Sequence, residues 1–155
     1  MPVELVVFLI SMLPISELRG AIPIAVSAYN IPIWSAFIWS VLGNLIPIFL
    51  VIFGLDLLIN KFLIHRIYIF NRFFTWLFER TRKKHSAKIK KWQDLALMIF
   101  VALPLPGTGA WTGALIAFVF GIPLRRAFAP IALGVIIAGI IVSLITLGII
   151  NLPFV

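Results

Sequence analysis

Two charged residues interrupt the first apolar part of the chain and are the first candidates for chemistry. Glu17 and Arg19 stand in the sequence Ser-Glu-Leu-Arg-Gly, with apolar residues on both sides. A carboxyl group in apolar surroundings can carry a proton, because burial favours its neutral form. The arginine side chain offers a planar set of N–H donors that suits a phosphate group. The pair therefore indicates binding of an anion together with handling of a proton.

A second interruption, rich in proline and glycine, follows in the later part of the chain. Residues 104–109 read Pro-Leu-Pro-Gly-Thr-Gly, and Thr112 follows closely. Gly107 and Gly109 allow another group to approach the backbone closely. Thr108 and Thr112 can donate hydroxyl hydrogen bonds. This segment therefore supplies neutral donors rather than charge.

The backbone at the two interruptions favours the same ligand. We expect a new half-helix to begin after each one, near Gly20 and near Thr112. Free N–H groups and the helix dipole at such an N-terminus favour a negative group. We therefore predict a substrate site for an anionic, phosphate-type headgroup, with seven members: Glu17, Arg19, Gly20, Gly107, Thr108, Gly109 and Thr112. The alternative is structural, with glycines that serve turns and packing and with Glu17 paired to Arg19.

Other chemistries find little support in the residue types. The chain has no cysteine, which excludes disulfides, thiol catalysis and cysteine-based metal sites. His65 and His85 lie in a basic stretch without acidic partners at ligand spacing, so we expect no metal site and no cofactor. No histidine lies in the apolar segments, where it could activate a nucleophile. We therefore do not expect an enzyme.

The elements that position the candidate residues are membrane helices by composition. Of 155 residues, 63% are hydrophobic and 12% are charged, whereas soluble domains are about 45–50% apolar. Residues 34–58 and 127–150 are long enough to span a bilayer, which takes about 20 residues. Four shorter apolar arms flank the two interruptions: residues 5–13, 21–28, 95–103 and 114–120.

The order of these elements occurs twice along the chain. Each time a short arm, a break, a second short arm and an Ile-Pro pair precede a long span. Residues 29–37 align with residues 120–128 at an offset of 91, with four of the nine positions identical, and Gly43 then meets Gly134. We interpret the chain as one membrane domain, residues 1–155, with two repeats: residues 3–58 and 95–150.

A strongly basic linker separates the repeats and predicts their orientation. The net charge is +8, and ten of the 13 lysines and arginines lie in residues 61–91. Such clustering is typical of a cytoplasmic segment beside anionic lipid, and we expect no nucleic acid. Residues 60–94 are thus predicted to be cytoplasmic, with an amphipathic helix in the interface. Six residues are expected at the lipid surface: Arg82, Lys83, Lys84, Lys88, Lys90 and Lys91.

Arg125 and Arg126 favour one topology over another. If each pair of short arms is a re-entrant hairpin, the two arginines share the cytoplasmic face with the linker, and both termini lie outside. If every segment crosses, they face outward, against the positive-inside tendency. We therefore predict an all-α membrane fold, an inverted repeat of two units that each contain a re-entrant hairpin and a transmembrane helix. Many secondary transporters are built this way, with the site near the midplane.

Two motifs resemble those of a known family. Residues 17–23 read Glu-Leu-Arg-Gly-Ala-Ile-Pro, and residues 104–113 read Pro-Leu-Pro-Gly-Thr-Gly-Ala-Trp-Thr-Gly. In them the chain resembles the small multidrug export proteins, a group distantly similar to the DedA superfamily. The resemblance implies two facing re-entrant hairpins and proton-linked movement of lipids, including polyprenyl phosphate carriers. It also implies that Glu17 and Arg19 are the acidic and basic residues of the first hairpin, whereas the second hairpin lacks the arginine of the DedA pattern.

Three functions remain open from the sequence. The leading hypothesis is a transporter or lipid flippase that takes an anionic headgroup between the hairpin tips. The second is proton-coupled efflux of cationic drugs, and the third is a membrane scaffold that does not transport. The expected partners are membrane lipids, a lipid-linked phosphate or small-molecule substrate, protons and a second copy of the chain, because two full spans bury the hairpins poorly.

Overall fold

The structure, a computed structural model, describes residues 2–58, 72, 76 and 87–150. In the two long described stretches the fold is all-helical. Six helices follow one another: α1 (Val3–Met12), α2 (Glu17–Ser27), α3 (Ile33–Leu58), α4 (Ala87–Ala102), α5 (Ala110–Val119) and α6 (Leu124–Ile150). The predicted interfacial helix of the linker, both histidines, and Arg82, Lys83 and Lys84 fall outside the described residues.

Two helices, α3 and α6, are long and apolar enough to cross a membrane. The apolar parts cover Ile33–Gly54 and Leu124–Gly148, and only 44% and 39% of their most apolar windows are buried in the molecule. Large side chains point outward along both helices, such as Leu50 and Leu144, which are 61% and 64% exposed. A soluble protein rarely leaves so much apolar surface open. The fold is therefore compatible with a membrane protein whose outer surface faces lipid.

The first break is shorter than the sequence prediction. We expected a half-helix near Gly20, but α2 begins at Glu17 and leaves only residues 13–16 outside the helices. The turn holds itself closed, because the Glu17 N–H donates to the Leu13 carbonyl at 2.9 Å. The Ser16 hydroxyl also donates to the Ile10 carbonyl at 2.6 Å. Glu17 and Arg19 therefore lie on a helix, and not in the irregular turn that we expected.

The helices of the second repeat also begin earlier than expected. Helix α4 begins at Ala87, inside the predicted linker, and α5 begins at Ala110 rather than near Thr112. The first turns of α4 are tied to α6, because the Arg126 side chain donates to the Lys90 carbonyl at 2.5 Å. Lys90 and Lys91 are exposed on this part of α4. The lipid-surface residues that are described thus belong to a helix that continues into the hairpin.

The two repeats pack their first helix on their long helix through the same positions. A Cβ atom at Gly43 of α3 would lie 3.1 Å from the Cβ atom of Ser11 in α1, and it would collide with the Phe8 carbonyl. A Cβ atom at Gly134 of α6 would lie 2.7 Å from the carbonyl oxygen of Met98 and the Cβ atom of Val101 in α4. The partners in α1 and α4 are related by an offset of 90, at which Leu13-Pro14 also meets Leu103-Pro104, and the two glycines are related by the offset of 91. Each glycine lets its short helix approach closely.

The two long helices run in opposite directions against each other. Phe49 of α3 packs edge-to-face on Phe128 of α6, with ring centroids 6.0 Å apart. Farther along α3, Arg125 lies 5.8 Å from the centroid of the Phe53 ring. Toward the start of α3, Phe37 lies against Gly139. Position numbers thus rise in α3 as they fall in α6, so the two long helices are antiparallel.

The glycine contacts predict a specific loss of stability. Gly43→Ala and Gly134→Ala should each lower the melting temperature of the purified protein, because the added methyl group meets a backbone carbonyl. Gly54→Ala is the matched control in α3, since nothing lies within 4 Å of its added Cβ and alanine favours a helix over glycine by about 1 kcal/mol. Thermal unfolding in detergent, followed by tryptophan fluorescence, measures the difference. A similar melting temperature for all three variants would contradict the close packing.

Candidate functional site

The two breaks meet each other, and Arg19 makes most of the contact. We call residues 13–16 the first tip and residues 103–109 the second tip. The Arg19 guanidinium crosses from α2 to the second tip and donates to four backbone carbonyls. They belong to Val101 at 3.5 Å, Leu103 at 2.8 Å, Thr108 at 2.5 Å, and Leu105. The guanidinium therefore binds the end of α4 and the turn that follows it.

One donor of Arg19 remains without a partner. The buried Nε atom has no hydrogen-bond acceptor, whereas both terminal nitrogens of the guanidinium are fully used. A bidentate bond to phosphate uses two donors side by side. Such a bond thus requires Arg19 to release at least one carbonyl of the second tip.

The Glu17 carboxylate lies against the start of α5. The backbone N–H of Trp111 points to its Oε1 atom at 3.4 Å. A Cβ atom built on Gly109 would lie only 2.7 Å from the Glu17 Cδ atom, so only glycine leaves room for the carboxylate there. Gly109 has a φ of 144° and Glu17 has a φ of 46°, a conformation that few residues other than glycine adopt. The contact thus depends on unusual backbone at both partners.

The two charges complement the two ends of a broken helix. Glu17 lies at the N-terminus of α5, where the helix dipole favours negative charge, and Arg19 binds the carbonyls that end α4, where the dipole favours positive charge. The hydrogen bonds of both charged groups lead to the second hairpin and not to each other. Two positions apart on a helix, they point in different directions. One hairpin therefore supplies the charged groups that the other hairpin lacks.

A cavity of about 340 Å³ lies beside this contact. Its wall is built from both tips and from the first turns of α2 and α5: Pro14, Ile15, Ser16, Glu17, Arg19, Gly20, Pro106, Gly107, Thr108 and Thr112. Six of the seven residues predicted for the substrate site line it, and the seventh, Gly109, touches Glu17. The fold thus brings all the predicted residues together.

The hydroxyl group of Thr108 is already used inside the second tip. Its oxygen lies 2.6 Å from the Leu103 carbonyl and 2.8 Å from the Leu105 carbonyl, which share its single proton. Those two carbonyls also accept from Arg19. Thr108 therefore shapes the carbonyl cluster that holds the guanidinium, and it does not point a free donor into the cavity.

Helix α6 contributes to the surroundings of Arg19, which sequence reasoning missed. A second cavity of about 360 Å³ extends from Arg19 between α2 and α6, and its wall is mainly apolar: Pro23, Ser27, Pro104, Val142, Ile145 and Thr146 complete it. Val142 and Thr146 look like ordinary members of a span in the sequence. Only the packing of α2 on α6 places them near the charge.

One comparison with known proteins identifies the family. Residues 17–141 match the protein family described as "Putative small multi-drug export protein". The chain belongs to this family. The matched segment begins at Glu17 and includes both charged residues of the site and the whole second tip. No curated protein and no solved structure matches the chain, so the wider likeness to the DedA superfamily stays a prediction.

Membership of the small multidrug export family agrees with the exposed apolar surface of α3 and α6. Together they support a place in the membrane for this chain. The family description speaks of drug export, and it assigns no residue. The roles of the residues at the tips therefore have to be argued from their contacts.

The contact between Glu17 and Gly109 predicts coupled stability effects. Gly107 and Gly109 both have positive φ, but a Cβ atom on Gly107 meets nothing within 4 Å. Gly107→Ala should therefore cost only backbone strain, about 1–2 kcal/mol, whereas Gly109→Ala also displaces the carboxylate. In a Glu17→Ala background the extra loss from Gly109→Ala should shrink, because no carboxylate remains to be displaced. Melting temperatures of the single and double variants test this, and equal losses in both backgrounds would contradict it.

Proposed function

We propose that the protein is a small proton-linked membrane transporter that moves an anionic, phosphate-type headgroup past the contact between its two tips. The observation that carries the proposal is the binding of Arg19 to backbone carbonyls of the opposite tip. Those carbonyls are replaceable acceptors, since the oxygens of an anion can take their place.

Binding of an anion can separate the Arg19 guanidinium from the carbonyls of the second tip. A charged guanidinium at membrane depth costs at least about 2.5–3.5 kcal/mol, so Arg19 cannot leave its carbonyls without another set of acceptors. Phosphate oxygens bind a guanidinium in a bidentate manner. The cavity beside the tips gives such a group access to Arg19. An anion that enters can therefore exchange with the carbonyls of Leu103 and Leu105, which frees the two tips to separate.

Glu17 links the same step to protons. When the tips separate, the Glu17 carboxylate leaves the N–H groups that begin α5. An ionised carboxylate without donors is costly in an apolar medium, whereas the neutral acid is much less so. Uptake of one proton by Glu17 therefore accompanies separation, and release of the proton accompanies closure. The result is coupled movement of one anionic group and one proton.

The geometry of the repeats supports alternating access. The matched glycine contacts and the antiparallel long helices fit two inverted units. Gly43 and Gly134 each lie ten residues after the start of their long helix, or about 15 Å along it. This is half of a hydrocarbon core of about 30 Å. In our proposal both hairpins are re-entrant, the tips meet at the midplane, and residues 60–94 are cytoplasmic.

The proposed partners follow from the same arrangement. The six basic residues predicted at the lipid surface, Lys90 and Lys91 among them, contact anionic lipid. A second copy of the chain covers part of the apolar outer surface of the hairpins. The protein acts as a transporter and carries out no covalent chemistry on its substrate.

Transport by variants in liposomes tests the proposal. The purified protein should move polyprenyl phosphate or phospholipid across the bilayer, faster with a pH gradient. Arg19→Gln should reduce the rate at least tenfold because the guanidinium fork is lost. Glu17→Gln, which imitates the protonated acid, should keep residual movement but lose the response to the gradient.

Two controls define what would overturn the proposal. Arg72→Gln removes an exposed charge outside the tips and should leave transport unchanged. Full activity of Arg19→Gln at normal expression would contradict the role of Arg19. A stronger effect of replacing Lys90 and Lys91 than of replacing Arg19 would favour the scaffold function.

A second candidate function, proton-coupled efflux of cationic drugs, is favoured by one observation. Arg19 directs its hydrogen bonds to the carbonyls of the second tip, and none of these bonds goes to the Glu17 carboxylate beside the cavity. A cation in the cavity could therefore pair with the carboxylate. Uptake of a cationic dye that depends on Glu17 but not on Arg19 would decide for this function and against the anion.

The re-entrant topology can be tested with single cysteines, because the chain has none of its own. In our proposal Glu4 and Trp34 begin helices on one face, and Lys91 and Arg125 lie on the opposite, cytoplasmic face. In intact cells an impermeant maleimide should label cysteines that replace Glu4 and Trp34. Cysteines that replace Lys91 and Arg125 should be labelled only after the membrane is permeabilised. Labelling of the members of one pair from opposite sides would contradict a re-entrant hairpin in that repeat.

A further inference from the structure

A cavity far from the tips combines a carboxylate with two indole rings. It has a volume of about 410 Å³, lies where α1 and α3 begin, and is lined by Pro2, Glu4, Leu5, Trp34, Ser35 and Trp39. We call it the Trp34 cavity. Phe8 packs edge-to-face against Trp39, with ring centroids 6.4 Å apart, and so fixes one wall. None of the lining residues that the structure describes is basic, so no described cation faces the carboxylate in this cavity.

The second repeat shows what occupies the equivalent position there. Asp94 corresponds to Glu4 at the offset of 90, and Arg126 corresponds to Ser35 at the offset of 91. In the second repeat, Arg126 donates to the Asp94 carboxylate from Nη2 at 2.7 Å and from Nε at 3.0 Å. The acidic residue in α4 is therefore neutralised by an arginine of the long helix that follows in the same half of the chain.

The first repeat also has an acidic residue, Glu4, but it has no guanidinium at the position that corresponds to Arg126. Ser35 is too short to reach the carboxylate as an arginine does, and Trp34 stands where the second repeat has Arg125. Both residues line the cavity together with Glu4. The volume that a guanidinium would fill is thus available to a cation from outside the chain.

The surroundings select an organic cation. A carboxylate supplies the opposite charge, and the faces of tryptophan rings attract ammonium groups through the cation–π interaction. Trp34 and Trp39 are 66% and 37% exposed, so a ligand can reach their rings. A metal ion prefers several oxygen ligands, and this cavity offers one carboxylate and one hydroxyl group. An alkylated ammonium group has an apolar surface and a positive charge. It can therefore contact the tryptophan rings and the carboxylate of the cavity at the same time.

We infer that the Trp34 cavity binds an alkylammonium group, which takes the position that Arg126 holds in the second repeat. This inference is independent of the anion site at the tips. The group can belong to a soluble organic cation or to the headgroup of a choline lipid, which share this chemistry.

Equilibrium binding of labelled choline to the purified protein tests the inference. In maltoside detergent we expect saturable binding that exceeds the binding of sodium. Glu4→Gln should weaken it at least tenfold because the charge is lost. Ser35→Arg should weaken it equally, since it restores the internal guanidinium of the second repeat and fills the cavity. Asp94→Asn, the matched change in the other repeat, should leave choline binding unchanged.

Lipid nanodiscs distinguish the two sources of the group. If phosphatidylcholine discs suppress choline binding and phosphatidylglycerol discs do not, a lipid headgroup occupies the cavity. If both discs allow binding, a soluble cation is the ligand. The inference is overturned if choline does not bind in any of these media, or if folded Glu4→Gln and Ser35→Arg bind it like the unmodified protein. Because Arg19 and Glu17 are unchanged in these variants, failure here leaves the proposal for the tips standing.

Discussion

The structure depends on one requirement, that the ends of a broken helix inside an apolar medium find partners. Helix α4 ends with carbonyls that have no helical N–H partner, and α5 begins with N–H groups that have no helical acceptor. Lipid can satisfy neither, and the turn itself satisfies them only in part, through Thr108 and its own backbone. Arg19 and Glu17 supply these partners from the opposite hairpin. The second break is stable because the first break is charged. Neither hairpin contains both the charged side chains and the helix ends that bind them, so each hairpin is stabilised by its association with the other.

This requirement makes the two halves of the chain chemically unequal although their glycine contacts correspond. The first repeat contributes charged side chains on a helix, and the second contributes backbone groups in a turn rich in glycine. A site with an arginine from each hairpin is therefore not what this chain contains. The single guanidinium stands between two cavities of different character, one lined by both tips and one mainly apolar. Any movement of Arg19 changes both cavities at once.

Much of the frame could be read from the sequence, because composition and spacing determine it. The two long helices, the short arms, the breaks and the paired glycines were all predicted close to their observed positions. The prediction failed at the helix starts, since the bonds from Glu17 to Leu13 and from Arg126 to Lys90 depend on local and tertiary geometry. It gathered the right residues at the tips. It could not predict that backbone carbonyls bind Arg19, because every residue has a backbone carbonyl and the residue type does not show which ones are available.

The difference between Trp34-Ser35 and Arg125-Arg126 also has a consequence for biogenesis. The basic linker already favours the cytoplasmic side for the segment between the two halves of the chain. Positive residues near the ends of a span set its direction during insertion, and here only the long helix of the second half begins with them. The absence of arginine at the start of α3 agrees with the direction that the linker favours. The same difference leaves Glu4 without the guanidinium that Arg126 supplies to Asp94, so one pair of positions bears both on orientation and on the charge at Glu4.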